Sequence, residues 1–79
     1  MEIDTSSIEK FMNAAAFGDI TMVKKFIAAK VDVNVRSYNR NGRTPLIEAA
    51  REGRIDIVKV LLENCADSNI PDMDGRTAL

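Results

Sequence analysis

The sequence predicts an all-α solenoid of antiparallel helix pairs joined by β-hairpin-like fingers. Three observations carry this. The stretch Asn41–Asn69 reads as a tight turn, a short helix, a glycine corner and a second helix. The same pattern stands upstream at an offset of 35 residues, and its opening letters stand downstream at an offset of 33. Neither helix of the unit reaches the length of about 12 residues below which isolated helices are marginal in water, so each pair must bury its apolar stripe against a neighbour.

Met1 to Thr5 reads as a lead-in. Ser6 and Glu9 have capping-box spacing, which starts a helix at Ser6 and carries it to about Phe17. Gly18-Asp19 turns the chain, and Ile20 to Ala29 forms a second helix with Lys24 and Lys25 outside. Asp32 to Arg43 is a connecting finger that carries Tyr38, and the two offsets imply a two-residue insertion in it. Asn41-Gly42 signals a type I′ turn, which needs positive φ at both central positions.

Thr44 offers its hydroxyl as N-cap, and Pro45 suits the first helical position, where its missing N–H costs nothing. Leu46, Ala49 and Ala50 then make a narrow apolar stripe on a helix over 45–52 that Gly53 stops. Ile55, Val58, Leu61 and Leu62 repeat at helical spacing, giving a helix over 55–63 with an apolar face of its own. Asp67-Ser68-Asn69 is the exit, and Pro71 to Gly75 opens a second finger with Asp74-Gly75 as its turn. The units are 6–36, 37–71 and a truncated 72–79, within one domain over 1–79.

Gly75-Arg76-Thr77-Ala78-Leu79 repeats Gly42-Arg43-Thr44-Pro45-Leu46, while Phe11, Ala14, Ala15, Gly18, Ile20 and Val23 stand where Leu46, Ala49, Ala50, Gly53, Ile55 and Val58 stand. A 33-residue period opening on Thr-Pro-Leu resembles the ankyrin repeat. The resemblance runs from about Phe11 onward and rests on TPLxxAAxxG from Thr44, IVxxLL from Ile57 and ADxN from Ala66. It implies an ankyrin-repeat solenoid, read as an N-terminal fragment, whose first unit is the N-terminal capping repeat. The sequence stops two residues into a helix of that pattern, so the expectation is a piece of a longer protein. Taken alone it is expected to be marginal, or to self-associate through its uncapped C-terminal end by way of Ile57, Val60, Leu61 and Leu79. The family's histidine after Thr-Pro-Leu is Ile47 here, removing one polar tie between repeats. The family's glycine after the second helix is Lys30 in one unit and Cys65 in the other, each costing roughly 1 kcal/mol if held at positive φ.

A formal net charge of −1 opposes the global pull that non-specific nucleic-acid binding needs. No apolar run approaches the roughly 18 residues of a membrane span, and the Met1 end lacks a signal-peptide core. The single cysteine, Cys65, has no internal partner, which favours a reducing compartment, cytoplasm or nucleus.

There is no histidine, which removes Ser-His and Cys-His pairs and every histidine metal site. No glycine-rich phosphate cradle is present. Glu48 and Glu52, one turn apart, read as solvated helix surface, and Asp72 and Asp74 as turn chemistry without the further oxygens a calcium loop needs. No catalytic residue, cofactor or metal is expected, and Cys65 reads as a small filler at a helix end. For Asn34 and Asn69 the resemblance implies a hairpin-stabilising role, with hydroxylation of Asn69 a second and minor reading.

The resemblance also implies a concave partner-binding surface of finger tips and first helices. Carried onto this chain it comprises Ala16, Phe17, Arg36, Tyr38, Arg40, Asn41, Arg43, Arg51, Glu52, Met73, Asp74 and Arg76. All six arginines lie on the fingers, the first helix of the middle unit or its corner, whereas Lys24, Lys25 and Lys59 lie on second helices. Arginine and tyrosine are hot-spot residues, so the Tyr38 finger and its arginine row are expected to grip an acidic or extended segment of another protein. Alanine at Tyr38, Arg40 and Arg43 is then expected to abolish capture without lowering the melting temperature. The functional expectation is a non-catalytic protein–protein interaction module. Its alternative is a regulatory or substrate-recruiting arm of a larger enzyme or channel lying beyond Leu79. Nucleic acid is not expected as a partner, because Glu48, Glu52, Asp72 and Asp74 interrupt the arginines and stacking aromatics are few.

Overall fold

The computed structural model describes residues 5–78, with side chains from residue 7 onward. Four helices form two stacked pairs: α1 (Thr5–Phe17) with α2 (Ile20–Ala28), and α3 (Pro45–Arg51) with α4 (Ile55–Glu63). The second pair stacks on the first, α3 against α1 and α4 against α2. α1 begins at Thr5, one residue before the expected start. The remainder of the expected lead-in, the Ser6 hydroxyl and Leu79 fall outside what is described.

Local chemistry sets the element ends. The Asp19 carboxylate accepts from the Met22 N–H at 3.1 Å and opens α2. The Thr44 hydroxyl accepts from the Ile47 N–H at 3.2 Å with Pro45 in the first turn, as the sequence implies. α2 and α3 each end one residue short of expectation, and α4 covers the expected range. Lys30 and Cys65 sit just past α2 and α4 at φ 65° and 68°, the left-handed position that the family fills with glycine.

Finger 1, between α2 and α3, is closed by one antiparallel bridge between Ser37 and Arg43. Asn41 and Gly42 both take positive φ, and the Arg43 N–H donates to the Arg40 carbonyl at 3.1 Å, so the type I′ turn forms. It lies inside a wider loop than a two-residue hairpin, because Tyr38–Arg40 adds a 3₁₀ turn. Finger 2 follows α4 and closes where the Asp72 N–H donates to the Arg76 carbonyl at 2.7 Å.

The core is Phe11, Ala14, Ala15 and Val23 from the first pair with Leu46, Ala49, Ile57 and Leu61 from the second, and Ala66 behind them. Phe11 and Phe26 stack at a centroid distance of 5.3 Å and contribute more than their buried area alone. Stacking is what buries the apolar stripes. Ala15 and Val23 are fully covered by the second pair, whereas their counterparts Ala50 and Val58 are half-buried.

This arrangement corrects the self-association surface expected from the sequence. Ile57 and Leu61 are 0% exposed because both lie in the shared core between the helix pairs, so neither is available to a second copy. Val60 is half-buried.

Candidate interaction surface

The fingers are tied down by charge. Glu48, in the first turn of α3, has a side chain only 6% exposed. Its Oε2 receives Arg40 Nη1 at 2.9 Å and its Oε1 receives Arg43 Nη1 at 3.1 Å. Reading Glu48 as solvated surface was therefore wrong: finger 1 folds back over α3 and lays two guanidinium groups on that carboxylate. Glu52, one turn later, is exposed as expected.

Arg40 also reaches the first helix pair. Its Nε donates to Glu9 Oε2 at 3.1 Å and its Nη2 to Asn13 Oδ1, so one side chain joins α1, finger 1 and α3. Glu9 Oε1 accepts from the buried Ser37 hydroxyl at 2.5 Å. That hydroxyl, assisted by Arg40, holds the Glu9 carboxyl below its ordinary value against the opposing pull of desolvation.

Finger 1 is joined to finger 2 in the same way. Arg36 Nε donates to the Gly42 carbonyl at 3.0 Å and its Nη2 to the Pro71 carbonyl at 2.9 Å, while its Cζ lies 6.0 Å from the Tyr38 ring centre. Asn41 Nδ2 donates to Asp74 Oδ2 at 2.8 Å, and the Met73 N–H donates to the Asn41 carbonyl at 2.9 Å. Asp72 Oδ1 accepts the N–H groups of Arg76 and Asp74, both at 2.9 Å, and the first of these leads in lowering its pKa. Asp72 and Asp74 are thus turn chemistry, as the sequence implies.

Further ties replace the one lost at Ile47, which is a buried apolar side chain. Asn34 Oδ1 accepts from the Asp67 N–H at 2.7 Å, linking the exits of the two units. Arg54 Nε donates to the Ala16 carbonyl at 3.0 Å, placing a cation on the C-terminal end of α1.

The eleven sequence-predicted site residues besides Ala16 therefore divide. Arg36, Arg40, Asn41 and Arg43 are engaged inside the molecule, and Asp74 is paired with Asn41 while still exposed. Phe17, Tyr38 and Met73 project with exposures of 72%, 71% and 59%, and Arg51, Glu52 and Arg76 are also exposed. Ala16 is buried at 4% beneath the Arg54 contact. Alanine at Arg40 or Arg43 would strand Glu48, so the expectation that these arginines can be removed at no cost to stability does not fit this geometry. The residues that sequence reasoning missed are Glu9, Asn13, Ser37 and Glu48. Only Glu48 left a signal, as an acid close in sequence to two arginines.

Among the described residues no group of three or more acidic or cysteine side chains could hold a metal ion, and no helix is long and apolar enough to cross a membrane.

A family model described as ankyrin repeats, in three copies, matches residues 11–79. Several known proteins match as well. The human protein fem-1 homolog C is 42% identical over 59 residues, covering 71% of this chain and 10% of that protein. Neurogenic locus notch homolog protein 1 from Xenopus tropicalis is 38% identical over 77 residues, covering 98% of this chain and 3% of that protein. The mitochondrial glutaminase liver isoform from rat is 36% identical over 64 residues, covering 81% of this chain and 10% of that protein. The chain spans a tenth or less of the length of each.

Proposed function

The chain belongs to the ankyrin-repeat family, and on that premise we propose that it is a non-catalytic protein–protein interaction module that binds through its fingers and first helices. The observation that carries this is the contrast between Phe17, Tyr38 and Met73, which project into solvent, and the frame beneath them, in which ion pairs join α1, finger 1 and α3 and hydrogen bonds join finger 1 to finger 2. Rigid placement of large apolar side chains lowers the entropy lost on binding, and few-torsion aromatics are hot-spot residues. Ile55, Leu62 and Met22 are also exposed, but they lie on the second helices α2 and α4 and not on the fingers or first helices.

The experiment compares proteins captured from lysate by the immobilised 79-residue chain and by a Phe17→Ala/Tyr38→Ala/Met73→Ala variant. The reading requires loss of specific capture with an unchanged melting temperature. An unchanged set of captured proteins refutes it.

A second reading makes the unit a regulatory or substrate-recruiting arm. It is favoured by the relative named as a glutaminase, of which this chain matches only 10%. Under it the bound surface would be another domain of the same polypeptide for a regulatory arm, or a substrate for a recruiting one, and the same three substitutions would break that contact.

A further inference from the structure

Met73 and Arg36 meet where the two fingers adjoin. A Cβ built on Gly42 would stand 2.9 Å from Arg36 Nη2 and 3.2 Å from Met73 Cγ, so guanidinium and thioether stem converge over a residue with no side chain of its own. The bond from the Met73 N–H to the Asn41 carbonyl fixes the root of the side chain, and the residue remains exposed to solvent. Its counterpart one repeat earlier, Arg40, turns back onto α1, and Met73 turns back onto finger 1 in the same sense. A unit stacked after finger 2 would meet the other side of that finger, at Gly75, where the space corresponding to that above Gly42 is open. The exposure of Met73 therefore belongs to the finger surface itself. Met12, by contrast, is sealed in α1, and Met22 is only 39% exposed on α2.

We propose that Met73 is a reversible oxidation site through which hydrogen peroxide switches off the contact surface, with Arg36 receiving the new oxygen. The switching rests on the interaction-module reading. The thioether sulfur donates a lone pair to one peroxide oxygen, and an S–O bond forms as the O–O bond breaks. The departing hydroxide takes the proton of the transferred oxygen and leaves as water, so sulfur is oxidised and peroxide reduced by two electrons each. The product is a polar side chain in place of a soft apolar one. Its oxygen is an acceptor beside Arg36 Nη2, which here donates to the Pro71 carbonyl. Oxidation thus acts twice: it wets an apolar contact, and it draws Arg36 from a carbonyl that ties finger 1 to finger 2.

The test treats the 79-residue chain with hydrogen peroxide, in a Cys65→Ser background so that the exposed thiol does not compete. Tandem mass spectrometry of its peptides follows each methionine. Met73 should convert before Met22, and Met12 about tenfold more slowly than Met73 or slower still. In NMR spectra the Arg36 Nε–H and Gly42 amide signals should move with conversion of Met73. Both should return on treatment with the two epimer-specific methionine sulfoxide reductases. Each variant's capture from lysate is compared with its own untreated level. Capture should fall about tenfold on oxidation in the Cys65→Ser chain and with Met22→Leu added, and not at all with Met73→Leu added. Conversion of Met73 no faster than that of Met22, or an Arg36 signal indifferent to it, would overturn the site. Capture that survives full conversion, or peroxide sensitivity that persists in Met73→Leu, would overturn the switch. If the triple alanine variant captures the same proteins as wild type, the interaction reading falls with the switch. The oxidation site is then judged on the order of conversion and the Arg36 signal, which need no partner.

Discussion

Arg40 Nη1 lies 2.9 Å from Glu48 Oε2, and Glu48 is nearly sealed from solvent beneath it and Arg43. Burying a charge is tolerable only while its partners remain, so removing one side costs more than the intact pair contributes. Glu48→Gln keeps the shape and removes the charge, leaving Arg43, whose Nε already has no partner, without its anion. Urea unfolding should show a loss of about 2–3 kcal/mol. Replacing both members, as Glu48→Met/Arg43→Leu, should lose less than Glu48→Gln alone. If the double variant is the worse of the two, the loss is one of packing rather than of a stranded charge.

Acid should loosen the same frame from its other end. Glu9 is held below its ordinary value of 4.5, chiefly by the Ser37 hydroxyl. A carboxylate whose folded pKa lies below its unfolded one contributes its stabilisation above the unfolded value and loses it as pH falls through the folded one. Melting temperature should therefore hold down to about 4.5 and decline below it, and Glu9→Gln should flatten that decline. Asp72, lowered from 3.8, contributes a further loss at lower pH, which Asp72→Asn would remove. An identical acid limb in Glu9→Gln and wild type would show that the Ser37 and Arg40 contacts do not form in solution.

What was legible in the sequence and what was not divide by range. The Thr44 cap, the Asn41-Gly42 turn and the left-handed Lys30 and Cys65 are decided within a few residues, and each was readable from residue type and repeat position. Glu9 meets Ser37 28 residues away, and no local pattern announces that meeting. Glu48 is different: its partners Arg40 and Arg43 are only 8 and 5 residues away, and residue type alone does not say that they turn onto it. On a helical wheel it faces outward with Glu52, and only the fold-back of finger 1 turns that position into an interior one. The arginine row was visible as composition, but composition does not distinguish a side chain aimed at a partner from one aimed at its own scaffold.

Arg36 spans two carbonyls, those of Gly42 and Pro71, with its guanidinium beside Tyr38. A lysine keeps the charge and loses the planar fork, so it cannot bond both carbonyls in this geometry. Arg36→Lys should lower stability by about 1–2 kcal/mol and speed hydrogen exchange at the Met73 and Gly75 amides, where finger 2 is anchored. Unaltered exchange at those amides would mean that Asn41 and Asp74 suffice to hold the second finger.

The two residues at φ 65° and 68° make the opposite kind of prediction. A Cβ in the left-handed region crowds the following carbonyl, at a cost of about 1 kcal/mol, and glycine avoids that strain while losing somewhat more chain entropy on folding. The side chains of Lys30 and Cys65 are both exposed, so their removal sacrifices little packing. Lys30→Gly and Cys65→Gly should each therefore raise stability, by about 0.5 kcal/mol after the entropy loss is set against the strain. Because the sites terminate different helix pairs, the double variant should gain the sum. Alanine at either position keeps the strain and should gain nothing. Equal gains from alanine and glycine would trace the effect to the side chains instead of to the backbone.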